Sequence, residues 1–256
     1  MDVLVINLAR SPDRLAFQQR QLATLGLGFR RLEAVTAEAA GGLRPESYWQ
    51  GWERPLRPAE RACLLSHVAA WDHIAASGRP ALVLEDDAVL SRRVPALLSA
   101  LETASGLDHV TLEARGRRKL LGHETRPVAD GLRLVRLWQD RTGAAAYVLW
   151  PSGAAKLLAR AGREAALADA MICKAHELSS WQVEPACAIQ LDRCARYGVP
   201  APIGTRSTID SADRPAGIPA QRLRRIVSQL RMGWRQLSLL GRATRREVAL
   251  DPADFA

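Results

Sequence analysis

Residues 2–8, DVLVINL, form a short and almost unbroken apolar run, the pattern of a strand buried on both faces. Ser11-Pro12-Asp13 follows, with serine at a cap position and proline in the first turn of a helix. Leu15, Leu22 and Leu25 keep helical spacing, Gly26 ends the segment, and residues 29–35, FRRLEAV, read as a second strand. Strand, helix, strand is the opening of an α/β fold, because a crossover helix lets successive strands pair in parallel.

The rest of the chain continues in this manner. Residues 36–57 read as a loop, and from Pro58 to Ser77 the spacing of Leu64, His67, Val68, Trp71 and Ile74 marks one helix face. ALVLEDD (81–87) is a strand, VPALLSALETA a helix, and HVTLEA (109–114) another strand. Residues 115–131, rich in Arg, Gly and His, read as a flexible surface loop. LRLVRLW (132–138) and AAAYVLW (144–150) are strands around a turn at Arg141-Thr142-Gly143, and a helix starts at Pro151. The expected architecture is α/β, one folded domain over residues 1–203 with a mainly parallel central sheet. Residues 204–256 form a linker and a basic tail.

With 256 residues, 48% of them hydrophobic, the chain is long enough for a sizeable core. No apolar run reaches the roughly 18–20 residues that span a bilayer. The start carries Asp2 and no basic stretch, so no secretory signal is read there. A cytoplasmic location is expected. The four cysteines contain no C-x-x-C pair. Cys173, His176, Cys187 and Cys194 could supply zinc ligands, but their spacing fits no common finger, and structural thiols are the preferred reading.

The net charge of +9 is uneven, with eight arginines and no acidic residue between Arg222 and Arg246. Such an excess suits an anionic partner: membrane lipid, nucleic acid or a charged glycan. Within that tail Leu223, Ile226, Val227, Leu230, Trp234, Leu237 and Leu240 recur at three- and four-residue steps, forming one stripe of a helix. Arg224, Arg231, Arg235 and Arg242 fall mostly off the stripe. The pattern suits a helix lying in an anionic membrane surface; the competing reading packs the stripe on the domain. One aromatic and no recognised module leave nucleic acid unexpected.

Glu85, Asp86 and Asp87 stand directly after the apolar run 81–84. Three adjacent carboxylates repel one another, so something positive is expected to offset the cost. In an open α/β sheet, ligands bind outside the carboxyl ends of the strands. Asn7 closes the first strand there, with Arg10 and Arg14 just beyond. Arginines suit a diphosphate and carboxylates a hard cation, Mg²⁺ or Mn²⁺, so together they describe a site for a metal–nucleotide complex. The alternative is a solvated ion-pair network. No P-loop, G-x-G-x-x-G or G-x-S-x-G occurs.

VINLARSPDR, ERACLLSHVAAW (60–71), VLEDD (83–87), and TGAAAYVL (142–149) with the later ADAMI (168–172) resemble glycosyltransferase family 25 in content and order. This is a lipopolysaccharide-type group with many β-galactosyltransferases. The resemblance covers roughly residues 1–200. It implies a GT-A-like, Rossmann-like catalytic domain, a nucleotide-sugar donor such as UDP-galactose, and inversion at the anomeric carbon. Carried over, Asp87 is the main ligand of Mn²⁺ or Mg²⁺, while Glu85 and Asp86 support it or hold the donor's ribose and sugar. Asn7, Arg10 and Arg14 line the nucleotide pocket. Ser66, His67 and Trp71 match an S-H-x-x-x-W helix, where His67 and Trp71 could equally be packing residues; Tyr147 matches an aromatic that could be core. The chain departs from the family in having ERACLL where glycines are usual, and Leu167-Ala168 before Asp169.

Inverting transfer also needs a base for the acceptor hydroxyl. Asp169 is the candidate, being separate from the triplet in sequence, with Asp140 next; its other reading is an ordinary helix cap. The acceptor is expected to be a glycan or lipid-linked glycan at the inner face of the cell membrane. A degenerate protein that only binds nucleotide sugar or glycan is the competing reading.

Overall fold

The computed structural model describes residues 1–140, 143–204 and 219–255. β1 (Asp2–Asn7), α1 (Pro12–Thr24) and β2 (Arg30–Glu33) form the opening unit, with β1 and β2 parallel. Pro12 holds the first turn of α1, and Gly26, at φ +68°, turns the chain after it. α2 (Ala37–Ala40) and α3 (Glu46–Trp49) are single turns within the expected loop. α4 (Pro58–Ser77) then leads to β3 (Ala81–Glu85), which pairs parallel to β1 on its other side.

After β3 the pattern changes. β4 (Ala88–Leu90) leaves the main sheet and pairs with β10 (Ala188–Gln190). α5 (Val94–Glu102) leads to β5 (His109–Thr111), β6 (Lys119–Ala129), β7 (Leu132–Gln139) and β8 (Ala146–Leu149). α6 (Pro151–Ala161), α7 (Ala168–Cys173) and β9 (Ser180–Glu184) follow, and α8 (Pro219–Ser238) and β11 (Ala243–Arg246) close the chain. The main sheet has the order β11-β6-β7-β9-β5-β8-β3-β1-β2.

Two expectations are corrected here. The sheet is mixed rather than mainly parallel: β1–β2, β1–β3 and β5–β9 are parallel, and the other pairings are antiparallel. Residues 115–131 are mostly strand β6, not loop. The hairpin between β6 and β7 accounts for the second and contributes one antiparallel pairing to the first. Ala129 pairs with Leu132 across Asp130-Gly131, with Gly131 at φ +63°; two residues suffice for a hairpin but not for a crossover.

Both faces of the sheet are covered. Leu4, Ile6, Val83, Tyr147 and Leu149 point into one core with Trp71 and Ile74 of α4 and Leu157 of α6. Val3, Val5, Leu82, Leu84 and Val148 point into the other, with Leu22 of α1 and Leu97 and Leu101 of α5. The period-two alternation therefore separates two apolar cores, which is why these strands carry almost no polar residues.

The tail helix α8 is oriented unusually. Arg224 donates to the Gln50 carbonyl at 2.6 Å, Ser228 accepts from Lys174 at 2.8 Å, and Arg235 donates to the Trp138 carbonyl at 3.1 Å. These residues recur at helical spacing and face the body. Ile226, Leu230, Trp234 and Leu237 fall away from these contacts and are exposed, while Leu223 and Val227, also exposed, edge the groove between α8 and residues 51–53. The apolar stripe thus faces outward. β11 then returns to the sheet edge beside β6. Residues 205–218 of the expected linker, and Arg141 and Thr142 of the expected turn, lie outside the described residues. No helix among the described residues is long and apolar enough to cross a membrane.

Candidate active site

β1 and β3 run parallel, so Asn7 and Glu85, their last residues, reach the same sheet edge. β8 is antiparallel to both β3 and β5, which brings the end of β5 there too. A solvent-open cleft lies at this edge, where ligands of α/β sheets bind. Arg10, Arg14, Ser66, His67, Glu85, Asp86 and Asp87 all line it, as does Cys63. Asn7 lies buried beneath.

The three carboxylates differ in their surroundings. Asp86 is a clamp: Arg14 donates to one oxygen at 2.9 Å and the Asn7 amide to the other at 2.8 Å. Gln18 donates to the Asp86 and Ala88 carbonyls, fixing the turn between β3 and β4. Burial nevertheless raises the Asp86 carboxyl above its ordinary pKa, against the pull of Arg14 and Asn7. Asp87 has one buried oxygen, Oδ1, with no hydrogen-bond partner. Burial, then the charge of Glu85, pushes its pKa up to about 7. An orphaned carboxylate oxygen beside a second carboxylate fits a hard cation, and the oxygen donors fit Mg²⁺ or Mn²⁺.

Glu85 is held from both sides. Gln190 donates to Oε2 at 3.2 Å, and His67 Nε2 lies 3.1 Å from Oε1. His67 Nδ1 is 2.9 Å from the Tyr147 hydroxyl, which accepts the Trp71 indole N–H at 2.8 Å. One proton arrangement satisfies all four groups: indole to phenol, phenol to Nδ1, and Nε2–H to Glu85. Burial favours a raised Glu85 pKa, but the His67 hydrogen bond, the Arg115 charge and Gln190 outweigh it and hold the carboxyl low. His67, Trp71 and Tyr147 are thus buried and also wired to the cleft. Ser66 is committed to the backbone, accepting from Val35 N–H at 2.9 Å and donating to the Ala62 carbonyl at 2.8 Å. Arg10 is exposed at the rim, 3.9 Å from Glu38.

Asp169 sits in the first turn of α7, outside the residues lining this cleft, and accepts the Ala170 N–H at 2.6 Å. Burial raises its pKa, and the charges of Arg115, Glu85 and Asp140 act on it. Its neighbours Leu167 and Ala170 line a second cleft beneath α8, which also receives Trp52, Arg117, Lys174 and Arg225. Asp140 lines the same second cleft and is paired there with the buried Lys119 ammonium at 2.6 Å. Cys173, His176, Cys187 and Cys194 do not converge. The one group of three close metal-type side chains among the described residues is Cys63, His67 and Glu85.

Two residues escaped the sequence reading. Glu113 lies just beyond the end of β5 and is fully buried, with Oε1 lacking a hydrogen-bond partner and Arg115 Nε 3.6 Å away. Burial pushes its pKa up to about 8. Its signal was the one that singled out Glu85: a carboxylate closing an apolar strand. Cys63 has the second signal, one helical turn before His67 on α4.

No curated protein matches the chain. Residues 1–172, two-thirds of the sequence, match glycosyltransferase family 25, described as an LPS biosynthesis protein. That match runs from β1 into α7 and takes in every residue lining the cleft at the ends of β1 and β3. The chain is an enzyme of glycosyltransferase family 25, a nucleotide-sugar-dependent family whose GT-A-like fold it carries as a mixed nine-stranded sheet.

Proposed function

We propose that this enzyme moves a hexose, galactose by family resemblance, from a uridine diphosphate sugar to a hydroxyl of a lipid-linked glycan, with inversion. The observation that carries the donor site is Asp87, whose buried oxygen lacks a partner inside an open cleft rimmed by Arg10. Asp87 and Glu85 would hold a Mn²⁺ or Mg²⁺ ion, which when bound offsets the charge of the departing diphosphate. Arg14 and Asn7 keep Asp86 in place, so the turn that presents Asp87 is rigid before any ligand arrives. Arg10, exposed at the rim and 3.9 Å from Glu38, can turn to a phosphate oxygen.

Asp169 is the base of this proposal. Its neighbours Leu167 and Ala170 line the second cleft beneath α8, and the charge of Glu85 in the donor cleft helps raise its pKa, which supports a place near both. An acceptor oxygen there attacks the anomeric carbon while Asp169 takes its proton. The bond from that carbon to the diphosphate oxygen breaks, and its electron pair leaves with the diphosphate. A raised carboxyl pKa favours this role, since a base works best with its pKa nearer the operating pH.

The outward apolar face of α8 supports a peripheral position on an anionic membrane. Arg222, Arg225 and Arg231 are exposed on the same helix, which has no acidic residue, and basic amphipathic helices of this kind lie in the membrane interface. A lipid-linked acceptor held there would bring its sugar beneath α8, toward Trp52, Arg117 and Arg225.

Calorimetry with UDP tests the donor site. Wild type should bind UDP more tightly with Mn²⁺ than with chelator, and Asp87→Ala should lose that difference and sugar transfer together. Equal affinity with and without Mn²⁺, or near-normal transfer by a folded Asp87→Ala variant, would refute the assignment.

A further inference from the structure

We propose that Cys63, His67 and Glu85 form a site for a borderline-soft divalent cation of the zinc class, Glu85 being the carboxylate that this site would share with the hard-cation position at Asp87. Cys63 and His67 are four residues apart on α4, so their side chains leave the same helix face one turn apart. Glu85 meets them from the end of β3. The sulfur, an imidazole nitrogen and a carboxylate oxygen all lie within 4.8 Å of one another. Ligands of a tetrahedral zinc stand roughly 3.5 Å apart, as bond lengths of about 2.0–2.3 Å require. The His67–Glu85 pair is already inside that spacing at 3.1 Å, so only the thiol has to close.

The surroundings are those of a ligand set. A metal-bound histidine usually gives its second ring N–H to a fixed acceptor, which orients the ring. Here Nδ1 lies 2.9 Å from the Tyr147 hydroxyl, itself located by the Trp71 indole. Metal binding would shift the ring proton from Nε2, where it faces Glu85 in the metal-free site, to Nδ1, so that the Nε2 lone pair points toward Glu85 and the cleft. Glu85 in turn is held by Gln190 on its other oxygen. Two of the three ligands therefore have outer partners in place.

The donor set selects the metal. Thiolate and imidazole favour zinc over magnesium, which prefers all-oxygen ligands. Three protein ligands at an open cleft leave the fourth position for water or a ligand oxygen. Binding breaks the Cys63 S–H bond; the proton goes to solvent and the electron pair stays on sulfur to bind the cation.

This inference does not depend on the donor reading, because the metal alone tests it. The reduced full chain, stripped of metal, is titrated with Co²⁺ and read by absorbance. One equivalent should give a near-ultraviolet thiolate–cobalt charge-transfer band and the visible bands of four-coordinate cobalt. Zn²⁺ should displace the ion and a matching excess of Mg²⁺ should not. Cys63→Ser should remove the charge-transfer band, whereas Cys173→Ser should keep it. Absence of the band in wild type overturns the proposal, as does its survival in Cys63→Ser or displacement by Mg²⁺. Circular dichroism of Cys63→Ser should match wild type, so loss of the band reads the ligand rather than the fold.

Discussion

The outward face of α8 supplies the sharpest quantitative test. Leu230 and Trp234 are 68% and 74% exposed and reach no partner on the body. Replacing both with serine therefore removes apolar surface without opening a cavity. Burying a large apolar side chain completely is worth about 2 kcal/mol, so two that begin roughly two-thirds exposed bring about 3 kcal/mol to a membrane. Each decade in affinity is about 1.4 kcal/mol, which makes the expected loss about a hundredfold. The assay is co-sedimentation with vesicles of phosphatidylcholine containing a third phosphatidylserine. Wild type should pellet with them, weaken at high salt because arginines add about 1 kcal/mol each near an anionic surface, and ignore pure phosphatidylcholine. Leu230→Ser/Trp234→Ser should stay in the supernatant with its thermal midpoint unchanged. Equal pelleting of the two proteins would refute the reasoning. A wild-type dimer that the double variant converts to monomer would assign the stripe to a second copy instead.

Three further perturbations probe other links. Asp169→Asn should keep UDP binding but lower turnover about 10²–10⁴-fold, the usual contribution of a general base; a loss below tenfold removes it from that role. Glu184 is buried, and although burial opposes it, hydrogen bonds from Arg246, Arg133 and the Ala249 N–H lower its pKa to about 2. The depressed pKa gives stability that is present above the unfolded value near 4.5 and lost as pH falls toward 2. After screening at the half-exposed arginines this amounts to roughly 1–2 kcal/mol, so urea midpoints of Glu184→Gln and wild type should differ at pH 7 and converge near pH 2.5. A constant gap would contradict this. Gly153 in α6 sits where a Cβ would meet the Asp108 carbonyl oxygen at 2.4 Å. Gly153→Ala should cost about 1–3 kcal/mol by overpacking, and an unchanged urea midpoint would show that the helix shifts freely.

Much of the site could be read along the chain, because its residues close strands or follow them at once. Asn7 and Glu85 each end an apolar run, and the parallel pairing of β1 and β3 brings them to one edge. Glu113 was missed although it carries the same signal, because its strand is short and the residues after it are basic. The β6–β7 hairpin was missed because arginines and histidine obscure the strand pattern of 119–129, although Asp130-Gly131 marks the turn.

The sequence alone determined the apolar strands and helices that frame the cleft and the inventory of charges: which of those runs are buried, where the helices begin, and that carboxylates and arginines share the strand ends. These depend on periods of 2 and 3.6 residues and on neighbours along the chain. Only the tertiary structure decided how identical groups divide their work. Asp86 became a clamp because Arg14 and Asn7 converge on it from another strand and helix, while Asp87 kept an unpartnered oxygen. Likewise the stripe on α8 was visible as a stripe, but its direction was not. Periodicity fixes which residues share a face; it cannot say whether that face meets the protein or leaves it. Here the opposite face carries Arg224, Ser228 and Arg235, whose partners Gln50, Lys174 and Trp138 come from distant parts of the chain.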